Sequence, residues 1–224
     1  TEGWSIRHDA ESVIVGIIDT GARYTHEDLR DNMWRNPDEI PGNRIDDDQN
    51  GYIDDIHGIN AILDNGDPSD DAGHGTHVAG ILGAVGNNGV GISGVAWKVQ
   101  LMPLRFLDRF GEGATSDAIQ CINYAVTHGA RVINTSWGSN AFSGSLNGAI
   151  SLALQADVIV VAAAGNERRN NDITPLYPAS FNQNNILSVA ATTNRDVLAG
   201  YSNYGAGSVD LAAPGDAILS TWDS

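Results

Sequence analysis

Short apolar runs alternate along this chain with stretches in which apolar residues recur every three or four positions. The runs at 13–18, 99–106, 131–136, 157–163, 186–191 and 208–212 predict strands. The first is apolar almost throughout, as in a strand covered on both faces. Helical periodicity marks 75–85, 115–128 and 143–155. Thr115, Ser116 and Asp117 supply a cap region for the second of these, and Gly129 fits its stop. Strands separated by helices predict an α/β fold, a three-layer sandwich with a mostly parallel central sheet. Residues 36–71 break the rhythm. They are rich in Asp, Asn, Gly and Pro, and a loop of that length needs something to order it.

The 224 residues fit one domain or at most two small ones. An apolar share of 42% is ordinary for a globular chain, and 26 glycines point to tight turns. No apolar run approaches a membrane span, so a membrane is not expected as a partner. The chain opens without a basic segment followed by an apolar one; in a secreted protein the leader and pro-segment would already have been removed. A net charge of −16 argues against nucleic acid and suits bound cations. The charge is uneven: 11 acidic residues fall between Asp38 and Asp71, against Arg44 alone. Metal ions are the natural remedy for that repulsion. Cys121 is the only cysteine, so no internal disulfide can form, and its helical surroundings predict a buried thiol.

Three segments carry candidate chemistry. Asp71-Ala72-Gly73-His74-Gly75-Thr76-His77-Val78-Ala79-Gly80 sets His74 at a helix start, where an imidazole can take and return a proton. Taken alone it is equally a helix cap, or half a metal site with His77, although the glutamate of a zinc-binding HExxH is absent. An apolar strand ends in Asp19-Thr20-Gly21, and another ends in Ala164-Gly165-Asn166. Either end residue by itself could be a turn former. Together, in the order acid, imidazole, amide, and with Asn134-Thr135-Ser136-Trp137-Gly138 between the last two, they resemble the subtilisin-like serine proteases, the subtilases.

The resemblance implies a secreted, calcium-stabilised serine endopeptidase that hydrolyses peptide bonds through an Asp-His-Ser triad. Asp19 would orient the imidazole, His74 would act as general base and then acid, and Asn166 would donate its amide to the oxyanion. Ser136, Trp137 and Gly138 resemble the segment that pairs with an extended substrate and lines its pocket, with Gly165 beside it. Tyr177-Pro178-Ala179 resembles the border of the same pocket. His77 matches the family's non-catalytic histidine. The sequon Asn134-Thr135-Ser136 lies in a strand and is discounted as a glycosylation site. The expected partners are a peptide or protein substrate, a pro-segment, or a complementary C-terminal fragment.

The family's nucleophile lies in a Gly-Thr-Ser-Met-Ala-like segment opening a long helix, and no such segment occurs here. There is no Gly-x-Ser-x-Gly elbow either. Ser136 resembles a pocket wall, Ser220 a strand end, and Ser224 has no following helix. Residues 1–224 are therefore expected to form the N-terminal and central part of a subtilase catalytic domain, with the serine outside the chain. A pseudoprotease that binds peptides or a pro-segment, and a calcium-binding structural domain, are the alternatives.

Two calcium sites are expected. In Asp46-Asp47-Asp48-Gln49-Asn50-Gly51-Tyr52 oxygen ligands alternate and glycine stands sixth, as at the start of an EF-hand loop. Asp46, Asp48, Asn50 and the Tyr52 carbonyl are the candidates. His57 occupies the position of the closing glutamate, so Asp54 or Asp55 must serve, and Asp55 is chosen. A second site is implied by the resemblance alone. His26-Glu27-Asp28-Leu29 and Asn87-Asn88-Gly89-Val90-Gly91-Ile92 resemble the family's calcium segments. Asp28, the Asn88 side chain (with Asn87 as its rival) and carbonyls near Val85, Val90 and Ile92 would be the ligands.

Overall fold

The computed structural model describes residues 2–223. They form two compact units, residues 2–131 with 220–223, and Val132–Leu219.

The first unit carries α1 (Glu2–Ile6), β1 (Asp9–Asp19), a 3-10 turn (Arg30–Asn32), β2 (Ile59–Asn60), α2 (His74–Gly83), β3 (Lys98–Arg105) and α3 (Thr115–Thr127). β3 pairs in parallel with β1 on one side and β2 on the other. β1 starts earlier than its apolar run, because Asp9 pairs with Lys98 before a register shift that ends at Ile14. Ile17, Ile18, Leu101, Met102, Leu104 and Ile122 are fully buried and make the core. The stop of α3 follows from Gly129. Its φ of +76° lets Ala130 N reach Ala125 O (2.9 Å) and Gly129 N reach Val126 O (3.2 Å), the paired bonds of a Schellman ending.

The second unit holds β4 (Val132–Thr135), α4 (Gly144–Gln155), β5 (Ile159–Ala163), β6 (Ile186–Thr192) and β7 (Leu211–Pro214). Its strands pair in sequence order, all parallel. Ser143 caps α4 by accepting Leu146 N at 3.2 Å. Asp157, with φ +59°, ends the helix as Gly129 ends α3: Val158 N reaches Ala153 O at 2.9 Å. Ile133, Ile150, Val158 and Val160 are fully buried.

The α/β pattern with parallel strands is as the hydrophobic rhythm predicts. The last strand is not where the sequence puts it. Residues 208–212 read as a strand, but pairing with β6 runs over Leu211–Pro214. Residues 205–209 turn instead around the Asp172 carboxylate, which accepts Ala206 N at 2.8 Å and Gly207 N at 3.2 Å. Residues 36–71 carry little regular structure, and β2 is the one short strand within them among the described residues. Burial of Cys121 is as expected.

Candidate active site

β1 delivers Asp19 to the strand end, where its carbonyl accepts Phe106 N (3.0 Å) and Leu107 N (3.2 Å) just past β3. Gly21 then turns the chain at φ +100°, so close to the next segment that a Cβ would lie 2.3 Å from Pro68 O. α2 starts against this turn. Gly75 makes that approach possible, because a Cβ there would lie 2.0 Å from Gly21 O. Two threonines fasten the pair: Thr20 Oγ1 accepts Gly75 N at 2.9 Å, and Thr76 Oγ1 accepts Arg23 N at 3.0 Å.

That frame sets the His74 imidazole on the Asp19 carboxylate. His74 Nδ1 lies 2.7 Å from Asp19 Oδ1, which also accepts Thr20 N at 2.7 Å. An ionised carboxylate can only accept, so Nδ1 carries the proton and Nε2 keeps its lone pair. The Asp19 side chain is wholly buried, while that of His74 is 54% exposed. Asp19 Oδ2 is buried without a hydrogen-bond donor. The hydrogen bond to Asp19 raises the His74 pKa; burial opposes it, and the charges of Asp19 and Asp70 add to the rise. His77 takes no part in the pair. Its ring meets Trp222 edge-on at 6.0 Å, and its carbonyl accepts Ser220 Oγ at 2.6 Å.

In the second unit β5 leads into Gly165, at φ +110°, and then Asn166, which is exposed and makes no hydrogen bond among the described residues. Asn203, fully buried, holds this loop. Its backbone N donates to Gly165 O at 2.8 Å and its Nδ2 to Ala164 O at 3.0 Å. Its Oδ1 accepts Glu167 N (2.9 Å) and Arg169 N (3.0 Å). Ser136, Trp137 and Gly138 continue beyond β4, with Asn134 Nδ2 donating to Ser136 Oγ at 2.9 Å. Ser139 and Tyr177 exchange two backbone bonds of 2.8 Å. A Cβ at Gly138 would lie 2.8 Å from the Leu176 side chain, and one at Gly165 2.7 Å from it. Both glycines therefore border Leu176, which the sequence did not flag.

The acidic insertion in the first unit gathers the expected carboxylates and adds two groups. Ligand atoms of Glu39, Asp46 and Asp48 lie within 4.8 Å of one another, as do those of Asp48, Asp55 and His128. Glu39 and Asp55 are buried. Glu39 Oε1 accepts Asp47 N at 2.7 Å and its Oε2 accepts Asp54 N at 3.1 Å. Asp46 accepts Asn50 N (3.0 Å) and Gly51 N (2.9 Å), which curls the loop. The Asn50 amide contacts Asp48 (2.9 Å) and Asp55 (2.8 Å). Tyr52 is met through its backbone N, which donates to Asn50 Oδ1, and its ring, 5.8 Å from that of Tyr124. Tyr124 Oη donates to Asp55. Asp54 turns to Gly42 N (2.7 Å) and Arg44 N (3.0 Å) instead.

Burial pushes the Glu39 carboxyl up, with Asp55 and Asp48 adding to it and the amides of Asp47 and Asp48 opposing. Burial works the same way on Asp48, but there Asn36, the Asn50 amide and Asp46 prevail and its pKa falls. His128 Nε2 lies 3.7 Å from Asp48, while its Nδ1 donates to Tyr124 O at 2.9 Å. Asp48 belongs to both groups, and their carboxylate oxygens are the donors that suit a hard cation.

Around Asp28, also fully buried, the 88–92 loop closes. Asn88 Nδ2 donates to Oδ1 at 2.7 Å, and Ile92 N to Oδ2 at 2.9 Å. Val85 N donates to the Asp28 carbonyl at 2.9 Å, and Val90 N to Asn88 Oδ1 at 2.9 Å. Asn88 faces Asp28, while Asn87 takes the left-handed turn at φ +59°. One carboxylate already met by two amides demands a cation less than the insertion does.

A model of the subtilase family matches residues 10–223. The chain belongs to that family of subtilisin-like serine proteases. It is 38% identical to a thermophilic serine proteinase of Bacillus sp. (strain AK1), over 97% of this chain and 47% of that protein. With subtilisin-like protease 1 of Plasmodium falciparum it shares 34% identity over 96% of this chain and 34% of the relative. It thus spans between a third and a half of these relatives. A crystal structure of a cold-adapted subtilisin-like serine proteinase superposes with a TM-score of 0.72 at 28% identity, covering 97% of this chain and 73% of the other. That likeness bears out the subtilisin-like α/β sandwich class.

Proposed function

We propose that this chain supplies the acid, the base and the oxyanion donor of a serine endopeptidase. The observation that carries the reading is the 2.7 Å contact between the buried Asp19 carboxylate and His74 Nδ1. Asp19 fixes the imidazole tautomer and stabilises the imidazolium. Nε2 takes the proton of a serine hydroxyl as it attacks the scissile carbonyl, then returns it to the leaving amine. Asn166, whose amide is uncommitted, donates to the oxyanion. Ser136–Gly138 pairs with an extended peptide, and Gly138, Gly165 and Leu176 wall the pocket beside it. No residue among the 224 carries the family's nucleophile motif, so the hydroxyl comes from outside them. The substrate is a peptide or protein, and the setting is extracellular. Among the described residues no helix is long and apolar enough to cross a membrane.

Calcium belongs to the same reading. Glu39, Asp46, Asp48, Asn50 and Asp55 would hold one ion, supplying hard oxygen donors, and Asp28 with the 88–92 loop a second. The ion's role is to offset charge and order the insertion.

Cleavage of a chromogenic peptide tests the catalytic roles. The 224-residue chain alone is expected to turn over no substrate. Complemented by the serine-bearing segment of the Bacillus relative, it should gain turnover. His74→Ala should then lower kcat by roughly 10⁴-fold or more, and Asn166→Ala by about 10²–10³-fold. Turnover that survives His74→Ala ends the reading.

A further inference from the structure

α2 begins without a cap of its own. Gly73 occupies the N-cap at φ +90° with no side chain of its own to accept, and the first turn holds no acidic residue. A helix start leaves amides unsatisfied and carries partial positive charge. His74 is the first residue of this helix, so the dipole works against protonation of its ring.

Asp70 fills the gap from outside the helix. Its Oδ1 accepts Ala72 N and Gly73 N, both at 3.0 Å. Its Oδ2 accepts Thr76 N at 2.9 Å and Thr76 Oγ1 at 2.6 Å. Thr76 N is the third amide of the helix, one that an N-cap side chain ordinarily takes. The Thr76 hydroxyl passes the link to Arg23 N, on the turn that follows Asp19. One carboxylate thus anchors both the segment bearing the base and the turn bearing its acid. Its charge is also unspent. Neighbouring Asp71 is matched by Arg105, whose Nη2 lies 2.7 Å away, whereas Asp70 meets only amides and a hydroxyl among the described residues.

We propose that Asp70 is a positioning residue for His74: it stands in for the absent cap of α2 and sets its negative charge against the positive end of that helix. The inference rests on the reading of His74 as general base. Burial works to raise the Asp70 carboxyl, but the Thr76 hydroxyl and the amides of Ala72, Thr76 and Gly73 outweigh it and hold it below the usual carboxylate range. Asp70 therefore stays charged wherever His74 titrates. The charged groups facing His74 are Asp19 from β1 and Asp70 from the preceding segment. Asp71 is balanced by Arg105 from β3, and His77 lies further along α2.

The test is an NMR titration of the His74 ring in the 224-residue chain. Asp70→Asn should move the midpoint down by roughly half a pH unit, and Asp70→Glu should restore most of it. Asp19→Asn should move it down further. A midpoint that falls in Asp19→Asn and stands still in Asp70→Asn overturns the proposal and leaves the acid–base pair intact. A midpoint that ignores Asp19→Asn removes the pair itself. If Asp70→Asn does not fold, the wild-type amides of Gly73 and Thr76 decide. They should follow one acid-range midpoint below the usual carboxylate value, and amides that do not titrate there overturn the proposal.

Discussion

His74 holds a proton more readily in the folded chain than as a free side chain, because Asp19 accepts its hydrogen bond. A folded-state pKa raised above the unfolded value of about 6.5 contributes stability that is full below that value. The contribution is lost as pH rises through the folded value. Asp19→Asn should therefore destabilise the chain more at pH 5 than at pH 9, by on the order of 1 kcal/mol or less, since a half-exposed imidazole shares its charge with solvent. Urea unfolding of the two proteins across that range checks it, and a gap that stays flat counts against the pair. Asp19, His74 and Asn166 were legible as single residues because Asp19 ends β1 two residues before Gly21, His74 starts α2 between two glycines, and Asn166 follows Gly165 just past β5. Asp70, Glu39, His128 and Asn203 were not. Each acts through contacts 30 or more positions away or through backbone amides, and neither leaves a pattern in the sequence.

Elements with strong apolar rhythm were legible to within a few residues. β3 and α3 differ from their sequence bounds by one residue at one or both ends, because a buried strand and an amphipathic helix write their own period. β7 was misplaced because Val209 and Leu211 look alike in sequence, while only the turn around Asp172 tells which of them pairs. The insertion is the opposite case: almost no element, but a dense set of polar bonds. Glu39 ties the Asp47 and Asp54 amides within it, and the proposed cation would offset the carboxylates. Chelation with EDTA should lower the melting temperature by roughly 5–10 °C if the ion is bound at about 100 times its dissociation constant. Glu39→Gln should shrink the difference between calcium-loaded and chelated protein, because it removes one buried charge from the donor set. Differential scanning calorimetry with and without calcium reads both, and a transition indifferent to EDTA would remove the metal from this account.

Charge is distributed unequally over the whole molecule. The first compact unit holds 22 of the 28 acidic residues and nine of the 12 basic ones, a net of −13, and the second a net of −3. Such an excess keeps a protein soluble but strains its compact state by self-repulsion. Monovalent salt relieves part of that strain. The screening length falls from about 30 Å at 0.01 M to about 8 Å at 0.15 M, so repulsion across a unit fades while contacts such as Asp71 with Arg105 are little affected. In EDTA, raising sodium chloride over that range should therefore raise the melting temperature, by roughly 2–4 °C for each kcal/mol of repulsion relieved. With calcium present the same step should do less, because the ion has already offset the carboxylates that repel most strongly. The two effects share one origin, so they must trade against each other. A salt response equal with and without calcium would place the repulsion elsewhere than the insertion, and a melting temperature that falls with salt would mean that ion pairs, not excess charge, dominate the electrostatics of this fold.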